Sequence, residues 1–237
     1  MGAQNFVTNT GKTNYYNVAY GALSTRVKEI TEDLTEVTSE ELKALNAKKA
    51  EIDLRGKYVV KDGDYPYIIF YQGIEGKIVS LTQKQPQGMS KLLEIKMLDS
   101  DGDDSLISVG LYTKYTENLL NRLNSLSNIS DKEITLAPYS IPNTFTGRDG
   151  NNVTMYNQGF SIKAEGVKLE VKYKNDNPAL PKTEIVQDAQ GNDTTSRVKR
   201  INFLLEEALG KLGNVSQKYL DTGVDVTDLT DDSDLPF

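Results

Sequence analysis

The spacing of apolar residues divides the chain into a β-rich centre flanked by helical segments. Residues 91–98 alternate, with Leu93, Ile95 and Met97 on one side and Glu94 and Lys96 on the other, the period of a half-buried strand. Residues 105–112 repeat the pattern, with Ile107, Val109 and Leu111 inward and Ser108 and Tyr112 outward. The acidic stretch between them, 99–104, reads as a turn. Upstream, residues 65–83 form one long strand text interrupted at Gly73 and Gly76, where a bulge or sharp bend is expected. Within it Ile68 and Phe70 are assigned inward and the tyrosines Tyr65, Tyr67 and Tyr71 outward. Residues 133–139 resume as strand. Residues 153–174 supply the last strand or hairpin, where Val167, Leu169, Val171 and Tyr173 alternate with charged positions.

Three segments carry helical spacing. Leu119, Leu120, Leu123 and Leu126 give residues 115–126 an amphipathic face. Val198, Ile201, Leu205, Leu209 and Leu212 fall on one face of 196–212, with Gly213 placed to stop that helix. Residues 39–51 form a surface helix opened by a Thr38/Glu41 capping box, with Leu42, Leu45 and Ile52 as a thin stripe. The polar residues 1–14 read as a mobile arm, 15–30 as a strand or an extended segment lying on the body, and 175–193 as a loop. No internal repeat is visible.

A long bent strand, two strands joined by a turn, a short helix and further strands form the element order of an OB-fold. That fold is a five-stranded, partly open barrel that binds oligonucleotides on its strand 2 and 3 face. The fold class expected is therefore mainly β with peripheral helices: an OB-fold body over 15–213 with N-terminal and C-terminal extensions, then a disordered acidic tail over 214–237.

Composition narrows the chemistry. The chain has no cysteine and no histidine, which excludes disulfides, thiolate zinc sites, His-activated nucleophiles and the commonest proton shuttle near neutral pH. No apolar run approaches the roughly 18 residues of a membrane span, and the first twenty residues lack the features of a secretory signal. Gly2 invites myristoylation, but Phe6 stands where Ser or Thr is required. A cytoplasmic protein is expected. The Asp99–Asp104 turn fails the EF-hand pattern, since Gly102 falls at the fourth position and Gly110 at the twelfth. Gly73 and Gly76 match a bare GXXG, but Glu75 stands where phosphate would approach. No phosphate-binding glycine loop occurs. Neither a cofactor nor a metal is expected, and the enzyme alternative reduces to a carboxylate-metal nuclease built on 99–104.

The net charge of −7 is unevenly placed. Residues 221–237 hold six aspartates and no basic group; removing those six from the 34 acidic side chains leaves 28, against 27 basic ones, in residues 1–220. A near-neutral body permits a local basic groove for a polyanion. The tail ends in Asp231-Asp232-Ser233-Asp234-Leu235-Pro236-Phe237, and its apolar tip is what a solvated terminus does not need and a recognition peptide does.

That ending resembles the acidic, Pro-Phe-terminated tip of bacterial and phage single-stranded DNA-binding proteins, with Ser233 and Leu235 where the bacterial form tends to have Asp and Ile. The match covers about seven residues and the body-then-tail layout; residues 15–26 and 138–159 also resemble phage-encoded members. The resemblance implies a non-enzymatic protein of phage replication or recombination, in the host cytoplasm, that coats single-stranded DNA. It also implies that Asp231, Asp232, Asp234, Leu235, Pro236 and Phe237 dock onto polymerase, helicase or primase partners. No membrane partner is expected, and homo-oligomerisation stays open.

On the body, aromatic rings stack on bases while cations follow phosphates. The expected nucleic-acid-binding residues are Tyr67, Tyr71, Lys77, Lys84, Lys96, Tyr112, Lys114 and Tyr115 on or beside the central strands, with Arg26, Lys28 and Arg148 clamping the backbone. The alternatives are a strand-annealing recombination protein and a phage structural or assembly protein with a solubilising tail.

Overall fold

The computed structural model describes residues 13–19, 21–27, 35–36, 58–60, 67–71, 73–98, 102–146, 150–187 and 193–212. The expected helix over 39–51, Lys28, Arg148 and the whole acidic tail lie outside the described residues, as do the side chains of Arg26, Tyr67, Ile68 and Phe70.

Among the described residues the chain is mainly β with two helices. The strands are β1 (Thr13–Ala19), β2 (Ala22–Val27), β3 (Thr35–Glu36), β4 (Tyr58–Val60), β5 (Tyr67–Tyr71), β6 (Ile74–Lys84), β7 (Leu92–Leu98), β8 (Asp104–Gly110), β9 (Glu133–Thr146), β10 (Asn152–Ala164), β11 (Val167–Lys168), β12 (Glu184–Gln187) and β13 (Asp193–Ser196). Helix α1 (Lys114–Leu123) lies between β8 and β9, and α2 (Val198–Lys211) follows β13. Eleven strands form one sheet in the order β11-β10-β9-β6-β7-β8-β1-β2-β5-β4-β3, and β12 pairs with β13 in a separate hairpin.

The alternating text of β7 and β8 folds as its period dictates. Leu93 faces Val109 and Ile95 faces Ile107 across an antiparallel register, and all four are buried. Leu119, Leu120 and Leu123 of α1 join them, together with Ile134 and Leu136 of β9 and Phe160 and Ile162 of β10. Thr113 caps α1, its hydroxyl accepting from the Thr116 amide and donating to Gly110 O at 2.8 Å. Leu126 lies beyond the end of α1, half-buried against the core.

The sheet is not closed, yet it curls. The Tyr115 hydroxyl hydrogen-bonds both Ser140 on β9 and the backbone at Gly21, in the turn between β1 and β2. In a flat sheet β9 and β1, four strand spacings apart, would be separated by roughly 19 Å. One phenol bridging them requires the intervening strands to wrap.

Several expectations change. The single long strand text of 65–83 is two strands in different parts of the sheet: β5 pairs with β2 and β4, β6 with β7 and β9. Gly73 separates them because a Cβ there would lie 2.7 Å from Leu136 O, so the chain passes β9 where only glycine fits. The register shift within β6 falls between Ile78 and Ser80, not at a glycine. Thr13 and Asn14, read as the end of an arm, belong to β1, which pairs in parallel with β8. Only Val167 and Lys168 of the 167–174 alternation are strand; Tyr173 is instead held by the side chain of Asn121 on α1. The 175–193 loop contains β12. On α2 the buried face is Ile201, Leu204, Leu205 and Ala208, the side that packs against α1 and the core, while Val198 and Leu209 are exposed.

Candidate nucleic-acid interface

Lys77, Lys84 and Lys96 stand on the outward face of β6 and β7, Lys77 and Lys84 sharing it because the register shift between Ile78 and Ser80 reverses the alternation. Register then supplies their neighbours. Lys96 lies in a row with Ser80 of β6, Leu106 of β8 and Tyr15 of β1, whose ring is 51% exposed. Two of the lysines meet carboxylates: Lys96 pairs with Asp104 at 2.8 Å and Lys84 with Glu94 at 3.6 Å. Lys77 is exposed and forms no ion pair among the described residues.

The tyrosines divide differently from expectation. Tyr71 sits opposite the fully buried Leu23 and packs edge-on to Tyr16, their centroids 5.8 Å apart, so its ring belongs to the inner side of the sheet. Tyr115 packs edge-on to Phe160 at 5.9 Å, and burial pushes its phenol above the ordinary value despite bonds to Ser140 and Gly21. Tyr112 also packs against the core, half-buried. All three were expected on the binding face; packing against Tyr16, Phe160 and the core sets them instead on the inner side. Tyr67 is described as a β5 position only.

The exposed aromatic surface lies elsewhere. Strands β9 and β10 pair over thirteen residues, from Ala164↔Ile134 out to Asn152↔Thr146, well past the part that covers the core. The outer portion is a two-stranded ribbon. On one face stand Ile141, Phe145, Val153 and Met155; Tyr156, 52% exposed, shares the other with Pro142. Residues 147–149, Arg148 among them, lie outside the described residues.

At the base of the ribbon a cleft of about 690 Å³ opens between α1, β10, the 171–175 segment and the start of α2. Lys114, Lys174, Arg197 and Arg200 line it against the single carboxylate of Glu117. Glu117 accepts from Arg197 Nε at 2.9 Å and from Arg200 Nη1 at 2.8 Å. Arg200, only 7% exposed, also donates to Pro181 O at 2.7 Å. Lys114 and Lys174 have no carboxylate partner among the described residues. Gly159 lets α1 approach the edge of β10: a Cβ there would lie 2.7 Å from Asn118, whose Oδ1 accepts the Phe160 amide at 2.8 Å.

Behind the cleft, Glu207 of α2 accepts from Lys172, from Lys211 at 3.0 Å and from the Tyr173 hydroxyl at 2.9 Å. Burial alone would raise its carboxyl; the three donors outweigh that and hold it below the usual range, while Lys172 is raised in turn. This group fastens the 169–174 segment to α2.

Of the expected residues, Lys77, Lys84 and Lys96 come together on one face and Lys114 enters the cleft. Sequence reasoning missed Tyr15, the ribbon aromatics, Lys174, Arg197 and Arg200. The ribbon had a signal, since 141–157 continues β text around Gly147 and Gly150 beyond the length a core strand needs. The cleft had none, being assembled from four separated segments. Among the described residues no cluster of His, Cys, Asp and Glu suits a metal ion, and no helix is long and apolar enough to cross a membrane. No protein-family model, curated protein or solved structure matches the chain.

Proposed function

We propose that the protein binds single-stranded DNA without sequence specificity and recruits replication partners through its acidic, Phe-terminated tail. The observation that carries this reading is the β9–β10 ribbon, which displays Phe145, Met155 and Tyr156 away from the core. Exposed apolar groups of this kind mark interaction surfaces, and the ribbon offers one ring on each face, Phe145 on one and Tyr156 on the other, on which any base can stack.

The element order supports it. Strands β6, β7 and β8, helix α1 and strands β9 and β10 follow the succession of an OB-fold barrel, and the curl through Tyr115 brings its flanks together. On that assignment β7 and β8 are strands 2 and 3, and the ribbon is the connection of strands 4 and 5, the two regions through which such barrels hold oligonucleotides. The outward face of β6–β8–β1 then offers Lys77, Lys84, Lys96 and Tyr15. Exposed ion pairs such as Lys84–Glu94 are worth about 0–1 kcal/mol, so a phosphate can exchange for the carboxylate.

The test is fluorescent oligo-dT against duplex DNA of equal length at several salt concentrations. Single strands should bind better. With four to six phosphates neutralised, log K against log[salt] should fall with a slope of roughly −3 to −4, at about −0.7 per phosphate. Equal affinity for duplex, or a slope near zero, overturns the reading.

A further inference from the structure

We propose that the cleft between α1, β10 and α2 is a second site, separate from the ribbon and the β7–β8 face, that takes a nucleoside 5′-phosphate unit. Its charge is the first reason. Four cations face one carboxylate, and that carboxylate is already shared by Arg197 and Arg200. The guanidinium donors are not exhausted by it: Arg197 uses Nε and Nη1, Arg200 uses Nε and Nη1, and the Nη2 of each makes no hydrogen bond to a described residue. Together with Lys114 and Lys174, which have no carboxylate partner among the described residues, they form a cationic wall that Glu117 orders without neutralising. Arginines held in place by a carboxylate are preorganised for bidentate phosphate contacts.

The size and the remaining lining decide between a bare anion and a nucleotide. A cleft of about 690 Å³ lies in the range of small-molecule sites, several times what an inorganic phosphate fills. Asn157 and Gln158 of β10 also line the cleft, at successive positions that turn their side chains to opposite faces of the strand, so one of the two amides is directed to it; neither makes a hydrogen bond to described residues. An amide carries both donor and acceptor, the combination that pairs with the edge of a base. Val171 and Tyr173 give the cleft an apolar side for the sugar or the ring.

The unit has two sources: a free nucleotide, or one nucleotide of a bound strand, and only the second rests on the proposed function. The full-length chain is titrated calorimetrically with thymidine 5′-monophosphate and, separately, with oligo-dT. Both titrations are repeated with Lys114→Glu/Lys174→Glu and with Asn157→Ala/Gln158→Ala. The side chains at these positions make no hydrogen bond or ion pair among the described residues, and the thermal midpoint checks that each variant stays folded. A free-nucleotide site predicts that thymidine monophosphate binds, is displaced by inorganic phosphate, and weakens by roughly tenfold or more in the charge-reversed variant. A strand site predicts no measurable monophosphate binding but a comparable loss for oligo-dT. If neither ligand responds to either folded variant, the cleft is not a nucleotide site. Should the wild-type chain fail to bind oligo-dT at all, the strand reading falls alone, and the cleft is decided by the monophosphate titration: binding lost in the variants sustains it, absence of binding overturns it.

Discussion

Asn121 and Tyr173 exchange two hydrogen bonds: Asn121 Nδ2 donates to Tyr173 O at 2.8 Å, and the Tyr173 amide donates to Asn121 Oδ1 at 2.9 Å. A side-chain amide on a helix thus does what a neighbouring strand would do for residue 173. The Lys172 amide adds a bond to Asn121 O at 3.1 Å, so 169–174 is laid along α1 and becomes one wall of the cleft. Asn121→Ala leaves a backbone donor and acceptor without partners. It should lower unfolding free energy by about 2–3 kcal/mol, read from urea denaturation.

Tyr71 and Tyr156 should behave as opposites. Tyr71 packs on Tyr16 against the core, so Tyr71→Ala should cost about 2–3 kcal/mol of stability through lost packing. Tyr156 is half exposed on the ribbon, so Tyr156→Ala should leave stability within about 0.5 kcal/mol. It should weaken oligo-dT binding by about 1–3 kcal/mol. Phe145→Ala should match Tyr156→Ala. Paired denaturation and binding curves separate the two classes.

Burial holds the Tyr115 phenol above the ordinary tyrosine value of 10.0. A raised folded-state value means the native protein keeps a proton that the unfolded chain releases. Tyr115 therefore supports folding fully below pH 10, and that contribution is lost as pH rises through the folded-state value. Denaturation between pH 8 and about 11 should show a steeper alkaline loss for the wild type than for Tyr115→Phe. The variant should start lower at pH 8 by about 1 kcal/mol, for the bonds to Ser140 and Gly21.

Glu117→Gln keeps the shape of the side chain and removes the charge shared by Arg197 and Arg200. Because Arg200 is 7% exposed, its guanidinium would be left desolvated without a counter-ion. A loss of about 2–3 kcal/mol is expected in denaturation, discounted from the fully buried case because Glu117 is partly open to water.

The tail prediction rests on the proposed function. Removing residues 221–237 should strengthen single-strand binding at low salt, since six tethered aspartates compete at an effective concentration on the order of mM. Phe237→Ala should leave DNA affinity nearly unchanged and remove replication partners from a pull-down; retention of those partners would return the tail to a solubilising role.

Local periodicity settled the strands β7 and β8, the inward set Leu93, Ile95, Met97, Ile107 and Val109, and the existence of both described helices, because alternation and the 3.6-residue period are properties of consecutive residues. Charge placement and the absence of histidine and cysteine likewise need no fold. Alternation alone would put Lys77 and Lys84, seven positions apart, on opposite faces; they share one only because the register of β6 shifts between Ile78 and Ser80. Which tyrosines are core was not legible: Tyr71 and Tyr156 both sit in β text, and only the pairing with Leu23 covers the one, while the extension of β9 and β10 past the core leaves the other open although it shares a face with Phe160. The split at Gly73 depends on the passage of β9, and the partnership of Lys96 with Asp104 on the pairing of β7 with β8. The cleft was least accessible of all. Glu117 meets Arg197 and Arg200 across about eighty residues of chain, and contacts at that separation are set by how helices and sheet pack, a property no local window contains.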